Sequence, residues 1–184
     1  MSRLEDPEQD GITHLNIFSN AKTQLGRDLS HFADLPIEHP VFGEFRSGEG
    51  LWYWISRRED SLRSLCGIEA KRHGRSLPVE VTLPKDEFQR MIHLGNEAKL
   101  DTYPHIRDAL VSTSLRLTHY YTKIYSGQLV VTAARDSEWI LAYFESVRKV
   151  HNPGADMSNT HLVDLQAAQE REAREQSTLQ GSLF

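Results

Sequence analysis

Two stretches of this chain carry side chains of the types and spacing that chemistry on a nucleoside-like molecule would need. The first is Phe18 to Phe32, where Lys22 stands among Ser19, Asn20, Thr23, Gly26 and Ser30. A lysine beside apolar groups loses solvation, its pKa falls, and the neutral amine becomes a nucleophile. The small polar neighbours would then hold a ribose or a phosphate. The plain alternative is a solvated lysine on a surface loop.

The second stretch is Ser47-Gly48-Glu49-Gly50-Leu51-Trp52-Tyr53-Trp54. Ser47 is a good cap for a helix starting near Gly48, which puts Glu49 in the first turn. There a carboxylate does no more than favour the positive end of the helix dipole, by roughly 0.3–1 kcal/mol, unless a ligand is at hand. With one, it can hold ribose hydroxyls or act as acid or base at a glycosidic bond. Trp52 and Tyr53 follow at three and four positions, on the Glu49 face of such a helix. They read as core residues or as a stacking platform.

Further on, Lys71 and Arg75 are one helical turn apart. That spacing suits a phosphate, and it also suits a basic last turn complementing the helix dipole. Asp136, in Asp136-Ser137-Glu138-Trp139, reads as an N-cap. The nine histidines include no HxxxH or HxH pair, so no metal site is expected, and no cofactor. GxGxxG, GxxxxGK[ST] and GxSxG are all absent from the sequence.

The elements that must position these groups can be read from periodicity. Residues 1–11 read as a flexible leader and Ile12–Phe18 as a short strand. Pro36, Pro40 and Gly43 mark a turn with extended arms. A helix is expected over Gly48–Ile55 and another over Glu59–Arg72, stopped by a left-handed Gly74. Pro84 and Pro104 each open a helix. The first has an apolar face of Phe88, Met91, Ile92 and Leu94, and the second turns Ile106, Ala109, Leu110 and Thr113 inward. Leu117–Ala133 is β-prone, with Ser126-Gly127 as a hairpin turn. A last helix starts at Asp136 with a stripe of Trp139, Ile140, Tyr143, Phe144, Val147 and Val150. Residues 153–184 form a polar tail with a short helix over Leu162–Arg174. The expected fold is α+β: one helix-dominated domain over 12–152 with one small β-sheet.

The chain has 184 residues, enough for one well-buried core. Its 26 acidic against 21 basic side chains give a net charge of −5, which argues against a general nucleic-acid binder but leaves a nucleotide open as substrate. The single cysteine, Cys66, excludes an internal disulfide and reads as a buried thiol in a reducing compartment. No apolar run reaches the roughly 20 residues that span a bilayer, and the polar start is unlike a signal peptide, so the expected location is the cytoplasm.

The order of the motifs is itself informative. Ser19-x-x-Lys22-Thr23-x-Leu25-Gly26-x-x-Leu29-Ser30-x-Phe32 comes first, then Phe45-x-Ser47-x-Glu49-x-x-Trp52-Tyr53. Glu69-Ala70-Lys71-x-x-Gly74-Arg75 and Asp136-x-x-Trp139 follow. Together, over about residues 12–150, they resemble the NADAR or YbiA-like family, in particular its phage and bacterial members. The resemblance implies hydrolysis of N-glycosidic bonds in nucleotide-like substrates. Some members look like glycohydrolases that remove ADP-ribose from guanine in nucleic acid. Others resemble the N-glycosidase acting on riboflavin-pathway intermediates. It implies catalysis by Lys22 and Glu49, with Ser19, Asn20, Thr23, Gly26, Ser30, Phe32, Trp52, Tyr53, Lys71 and Arg75 lining the site and Asp136 and Trp139 closing it. The expected partner is an ADP-ribose-like or nucleotide substrate, carried on DNA or RNA in one version. Three positions depart from the family pattern. Trp139 runs directly into Ile140-Leu141-Ala142 instead of a glycine-rich stretch, His31 stands where Asn is familiar, and Gly50 where His is usual. The loss of the glycine-rich stretch keeps a second expectation open, a module that binds ADP-ribose or a nucleotide without cleaving it. A third is a phage or host interaction protein that works through the tail.

Overall fold

A computed structural model describes residues 5–151. The expected tail over 153–184, with its helix over Leu162–Arg174, lies outside the described residues.

The described residues form six α-helices and three two-stranded β-ladders. In chain order the elements are β1 (His14–Asn16), α1 (Gln24–Leu29), β2 (Ile37–His39), β3 (Gly43–Phe45) and α2 (Gly48–Arg57). Then come α3 (Gly67–Ser76), α4 (Lys85–Thr102), α5 (Pro104–Ser112), β4 (Arg116–Thr118), β5 (Tyr120–Tyr125), β6 (Gln128–Ala133) and α6 (Glu138–His151). The α+β class is as expected, while the β-structure is three separate ladders in place of one sheet. β1 pairs with β4 in parallel, β2 with β3 and β5 with β6 antiparallel. Parallel pairing of residues 14–16 with 116–118 needs a long crossover, here nearly the whole helical part of the chain.

Residues 5–11, expected as a leader, contain a 3₁₀ turn at Pro7–Gln9 capped by the Asp6 carboxylate. Asp10 is buried, and its two carboxylate oxygens accept the backbone N–H groups of Asn16 at 2.9 Å and Lys22 at 2.7 Å. That carboxylate braces β1 against the Lys22 loop. The strand begins at His14, where its pairing with Arg116 begins, and Ile12 is 67% exposed.

α2 forms as its sequence dictates. The Ser47 hydroxyl accepts the Gly50 N–H at 3.1 Å and donates to the Leu65 carbonyl, while Arg58 ends the helix in a left-handed conformation. The helix expected over Glu59–Arg72 is broken. Asp60–Ser64 is a 3₁₀ turn, Leu65 and Cys66 are extended, and a left-handed Gly67 starts α3. Gly74 does not stop this helix. It lies inside it, buried, and a methyl group there would run into the Tyr53 ring, so glycine is required for α2 and α3 to approach. Asp136 does not cap α6. It is left-handed (φ 55°), whereas a cap is extended, and Ser137 takes that place, its carbonyl accepting the Ile140 and Leu141 N–H groups. Ser126 and Gly127 both have positive φ, the two-residue hairpin turn expected between β5 and β6.

Two apolar clusters hold these elements. One joins Leu15, Ile17, Leu29, Leu100, Ile106, Leu110, Leu117, Leu141 and Phe144. The other joins Ile37, Phe45, Leu51, Ile55, Met91 and Ile92. α4 supplies residues to both, which couples them. Each fully buried side chain of this size contributes roughly 1.5–3 kcal/mol. The buried face of α6 is Leu141, Phe144, Glu145 and Arg148, rotated from the expected stripe, and Val150 is 76% exposed. Arg148 pairs with Glu145 and donates to the Thr113 carbonyl, so a buried ion pair replaces part of the apolar stripe. Ala109 faces solvent and not the core.

Candidate active site

Glu49 is the centre of the site. It is 8% exposed, with its backbone N–H donating to the His31 carbonyl at 2.8 Å. Burial pushes its carboxyl up to about 7, against the opposing pull of Lys71 and Arg75. The Lys71 ammonium is 4.0 Å from the carboxylate and 5.1 Å from the centre of the Phe32 ring. α3 is held in this position by the Tyr53–Gly74 contact three residues beyond Lys71. Tyr53 therefore shares the Glu49 face of α2 as expected, but its ring is spent on packing against α3.

Tyr121 and His119 close the same group from the start of β5. The Tyr121 hydroxyl is pushed up by its burial first and the Glu49 charge next, with Arg75 opposing. His119 lies 5.1 Å from Tyr121, donates through Nδ1 to the Ile17 carbonyl, and is kept below its usual pKa mainly by burial. Phe18 packs edge-on to Tyr121 at 5.5 Å, so the start of the Lys22 loop borders the group.

Lys22 is engaged with Glu8. Its side chain is 46% exposed, and the ammonium is held by the Glu8 carboxylate at 2.6 Å and the Glu8 carbonyl at 3.2 Å. The groups around the ammonium are polar and open to solvent. Thr23 is the cap of α1, accepting the Gly26 N–H. Gly26 is there for packing, since a side chain would strike the Asn16 carbonyl. Ser30 is buried, its hydroxyl accepting the Phe32 N–H. Ser19 is half-buried and Asn20 exposed. The loop read as a ribose cradle is, in most of its named side chains, a self-capping turn.

Trp52 faces away from α3, toward α4 and α6. Its ring lies 5.7 Å from His31, 4.8 Å from Phe88 and 5.9 Å from Trp139, nearly parallel to the latter. Trp139 donates its indole N–H to the Asp136 carbonyl at 2.8 Å, so Asp136 acts through its backbone. Trp54 points to a third side, against Phe42 and Phe45 with Arg58 and Arg63 over its ring. Consecutive helix positions diverge by about 100°, so three aromatics in a row cannot share one wall.

The structure thus brings together Glu49, Lys71 and Phe32, with the Arg75 charge acting on Glu49, and sets Trp52 against Trp139 on another side of α2. It adds His31, His119, Tyr121 and Lys99, which sequence reasoning missed. Lys99 is 1% exposed and donates to the carbonyls of Asp28 (3.0 Å) and Ser30 (2.9 Å), fixing the turn whose next residue receives the Glu49 N–H. Burial lowers its pKa to about 8, and burial with the nearby Lys99 charge lowers that of His31 to about 3. His31 was visible in the first motif as a departure from the familiar Asn. Lys99, on the buried face of α4 with Met91, Ile92, Asn96 and Leu100, carried no local signal. Cys66 is half-buried beside Asp34, its thiol pushed up chiefly by burial.

A carboxyl group titrating near neutrality, flanked by two cations and aromatic rings, can give and take a proton at a bound sugar while the cations hold an anionic substituent. Among the described residues no group of three or more His, Cys, Asp or Glu side chains is placed to hold a metal ion, and no helix is long and apolar enough to cross a membrane. No protein-family model and no curated protein matches the chain. Among solved structures it is similar to the NMR structure of the E. coli protein YbiA, with a TM-score of 0.53 and 15% identity, over 85% of this chain and 99% of that one. At that identity the likeness is one of fold, and the chain has an α+β fold of the YbiA kind.

Proposed function

We propose that the chain is an N-glycosidase acting on a ribosyl phosphate conjugate of the nucleotide type, with ADP-ribose on a nucleic-acid base as the leading substrate. The observation that carries this reading is the buried Glu49 carboxyl, titrating at about 7 beside Lys71 at 4.0 Å. As the acid form it protonates the leaving nitrogen while the C1′–N bond breaks. As the base form it takes a proton from the water that adds to C1′. Lys71 and Arg75 bind the phosphate or the ribose hydroxyls and keep Glu49 from rising further. Many glycosidases use a second carboxylate. Here Lys71 occupies the neighbouring place, and it replaces Lys22 as the amine nearest the reacting group.

Mass spectrometry of products tests this directly. Wild type and Glu49→Gln are incubated with guanine-ADP-ribosylated DNA, NAD and an aminopyrimidine ribose phosphate. Release of ADP-ribose or ribose phosphate by wild type and not by the variant supports the reading. The second reading, a module that binds without cleaving, is favoured by the direct run of Trp139 into α6 without a glycine-rich loop. Calorimetric binding of ADP-ribose with no product from any member of the panel would establish it in place of the first.

A further inference from the structure

α4 carries two polar side chains one turn apart, His93 and Asn96, directly behind the tryptophan pair. The His93 ring lies 5.3 Å from Trp139 and stacks on Tyr143 at 4.7 Å. Asn96 is 3% exposed, and its Oδ1 is 3.0 Å from Nε2 of His31, the ring that lies against Trp52. Nε2 of His93 and Nδ2 of Asn96 are buried, and neither has a hydrogen-bond partner among the described residues. Buried polar atoms are almost always paired, so two orphans on one helix face, behind two large flat rings, point to a ligand group.

The polarity of the orphaned edge follows from its neighbours. His31 is neutral, held so by burial and by Lys99, and in its Nε2–H form it donates to Asn96 Oδ1. That uses the acceptor of the amide and leaves Nδ2–H₂, a donor, facing outward. His93 is held below its usual pKa by burial, against the pull of the Trp139 backbone, so the donor that sets the polarity of this edge is the Asn96 amide.

We infer that Asn96 and His93 form the floor of a subsite for a planar heteroaromatic group whose edge presents a carbonyl oxygen, with Trp52 and Trp139 covering its face. That the group is the leaving base of a glycosidic cleavage rests on the function proposed above; the subsite's preference for a carbonyl edge over an amine edge does not. Entry requires the Trp139 indole to move. Trp139 sits in the first turn of α6, is half-exposed, and is tethered by its single N–H to the Asp136 carbonyl.

The test is an NMR titration of the full chain, following the three indole N–H signals, with hypoxanthine, adenine and ribose 5-phosphate as separate probes. Hypoxanthine and adenine differ at C6, a carbonyl against an amine. Hypoxanthine is expected to shift Trp52 and Trp139, leave Trp54 unmoved, and bind about tenfold more tightly than adenine, as a site with an unpaired donor demands. Asn96→Asp replaces the donor by an acceptor and should remove or reverse the preference, and Asn96→Leu should abolish it. Equal binding of the two bases to wild type, or no shift at Trp52 and Trp139 with either, overturns the subsite whether or not the variants fold. Ribose 5-phosphate binding that is lost in Lys71→Ala, without base binding, leaves the glycosidase reading standing and sinks this one. Base discrimination without ribose 5-phosphate binding does the reverse.

Discussion

Lys22 and Lys71 are the same side chain in two environments, and the environments differ in everything that matters to reactivity. Lys22 stands 46% exposed at a turn, with its ammonium on the Glu8 carboxylate. Lys71 is 26% exposed, pressed over Phe32 and facing the buried Glu49. An exposed ion pair is screened by water and contributes little, typically under 1 kcal/mol. A partly buried one acts through a medium of lower dielectric, and here the Lys71 charge pulls against the burial that raises the Glu49 carboxyl. Motif order points to Lys22, and burial points to Lys71.

Activity gives the largest expected contrast. Glu49→Gln and Lys71→Ala should each lower kcat/KM by about 10²–10⁴, the range for removal of a positioned acid–base group or its electrostatic partner. Lys22→Ala should stay within about threefold of wild type. The assay is release of ADP-ribose or ribose phosphate under saturating and limiting substrate. If Lys22→Ala loses activity as Glu49→Gln does, the nucleophile returns to the first motif, and the Lys22–Glu8 pair must then open during turnover.

The contact that builds the Lys71 environment offers the next test. Gly74→Val drives two methyl groups into Tyr53 and should cost about 2–3 kcal/mol in urea unfolding, the upper part of the range for overpacking. It should also lower activity, because the turn of α3 that carries Lys71 shifts with it. Adding Tyr53→Ala removes the obstruction, so the double variant should recover a coupling energy of about 1 kcal/mol or more. Strict additivity would mean that the two residues do not meet.

This pair also shows how much was legible in the sequence. The class of fold, the helix from Gly48, the two proline-started helices and the β5–β6 hairpin follow from caps, periodicity and turn chemistry, all local signals. Glu49 was legible for the same reason, as a carboxylate one position inside a serine cap. Gly74 was misread as a helix stop because a glycine after Lys71, Arg72 and His73 looks the same whether it ends a helix or lets a tyrosine approach it. The distinction lies in Tyr53, twenty-one positions earlier on another helix. The bracing of the Lys22 loop was not legible either, since the buried Asp10 and the Glu8 partner that hold it belong to a stretch whose composition reads as solvent-exposed. Lys99 could not be found locally at all. Its role depends on two carbonyls some seventy residues away.

Titration separates the two regions a third time. The Glu49 carboxyl is raised in the folded chain, to about 7 from an ordinary value of 4.5. Between those values the folded chain binds more proton than the unfolded one, so stability falls as pH rises through this window. Glu49→Gln, which keeps the shape and removes the charge, should therefore be more stable than wild type at pH 8, by about 3 kcal/mol. Near pH 4 the two should be alike. Thermal or urea unfolding at both pH values measures it. A variant no more stable at pH 8 than at pH 4, relative to wild type, would place Glu49 in water and remove the reason for its acid–base role.

The smallest effect belongs to the exposed pair. Glu8→Gln and Lys22→Ala should each change stability by less than about 1 kcal/mol, and the double variant should differ little from either single one. The loop has a stronger anchor. Asp10 accepts two backbone N–H groups, one of them from Lys22 itself, and Asp10→Ala leaves both donors unpaired in a buried place. That loss should cost about 1–3 kcal/mol for each orphaned donor, well above the ion pair. Equal losses for Asp10→Ala and Lys22→Ala would show that the ammonium, and not the carboxylate beneath it, holds the loop, and the contrast between the two lysines would weaken accordingly.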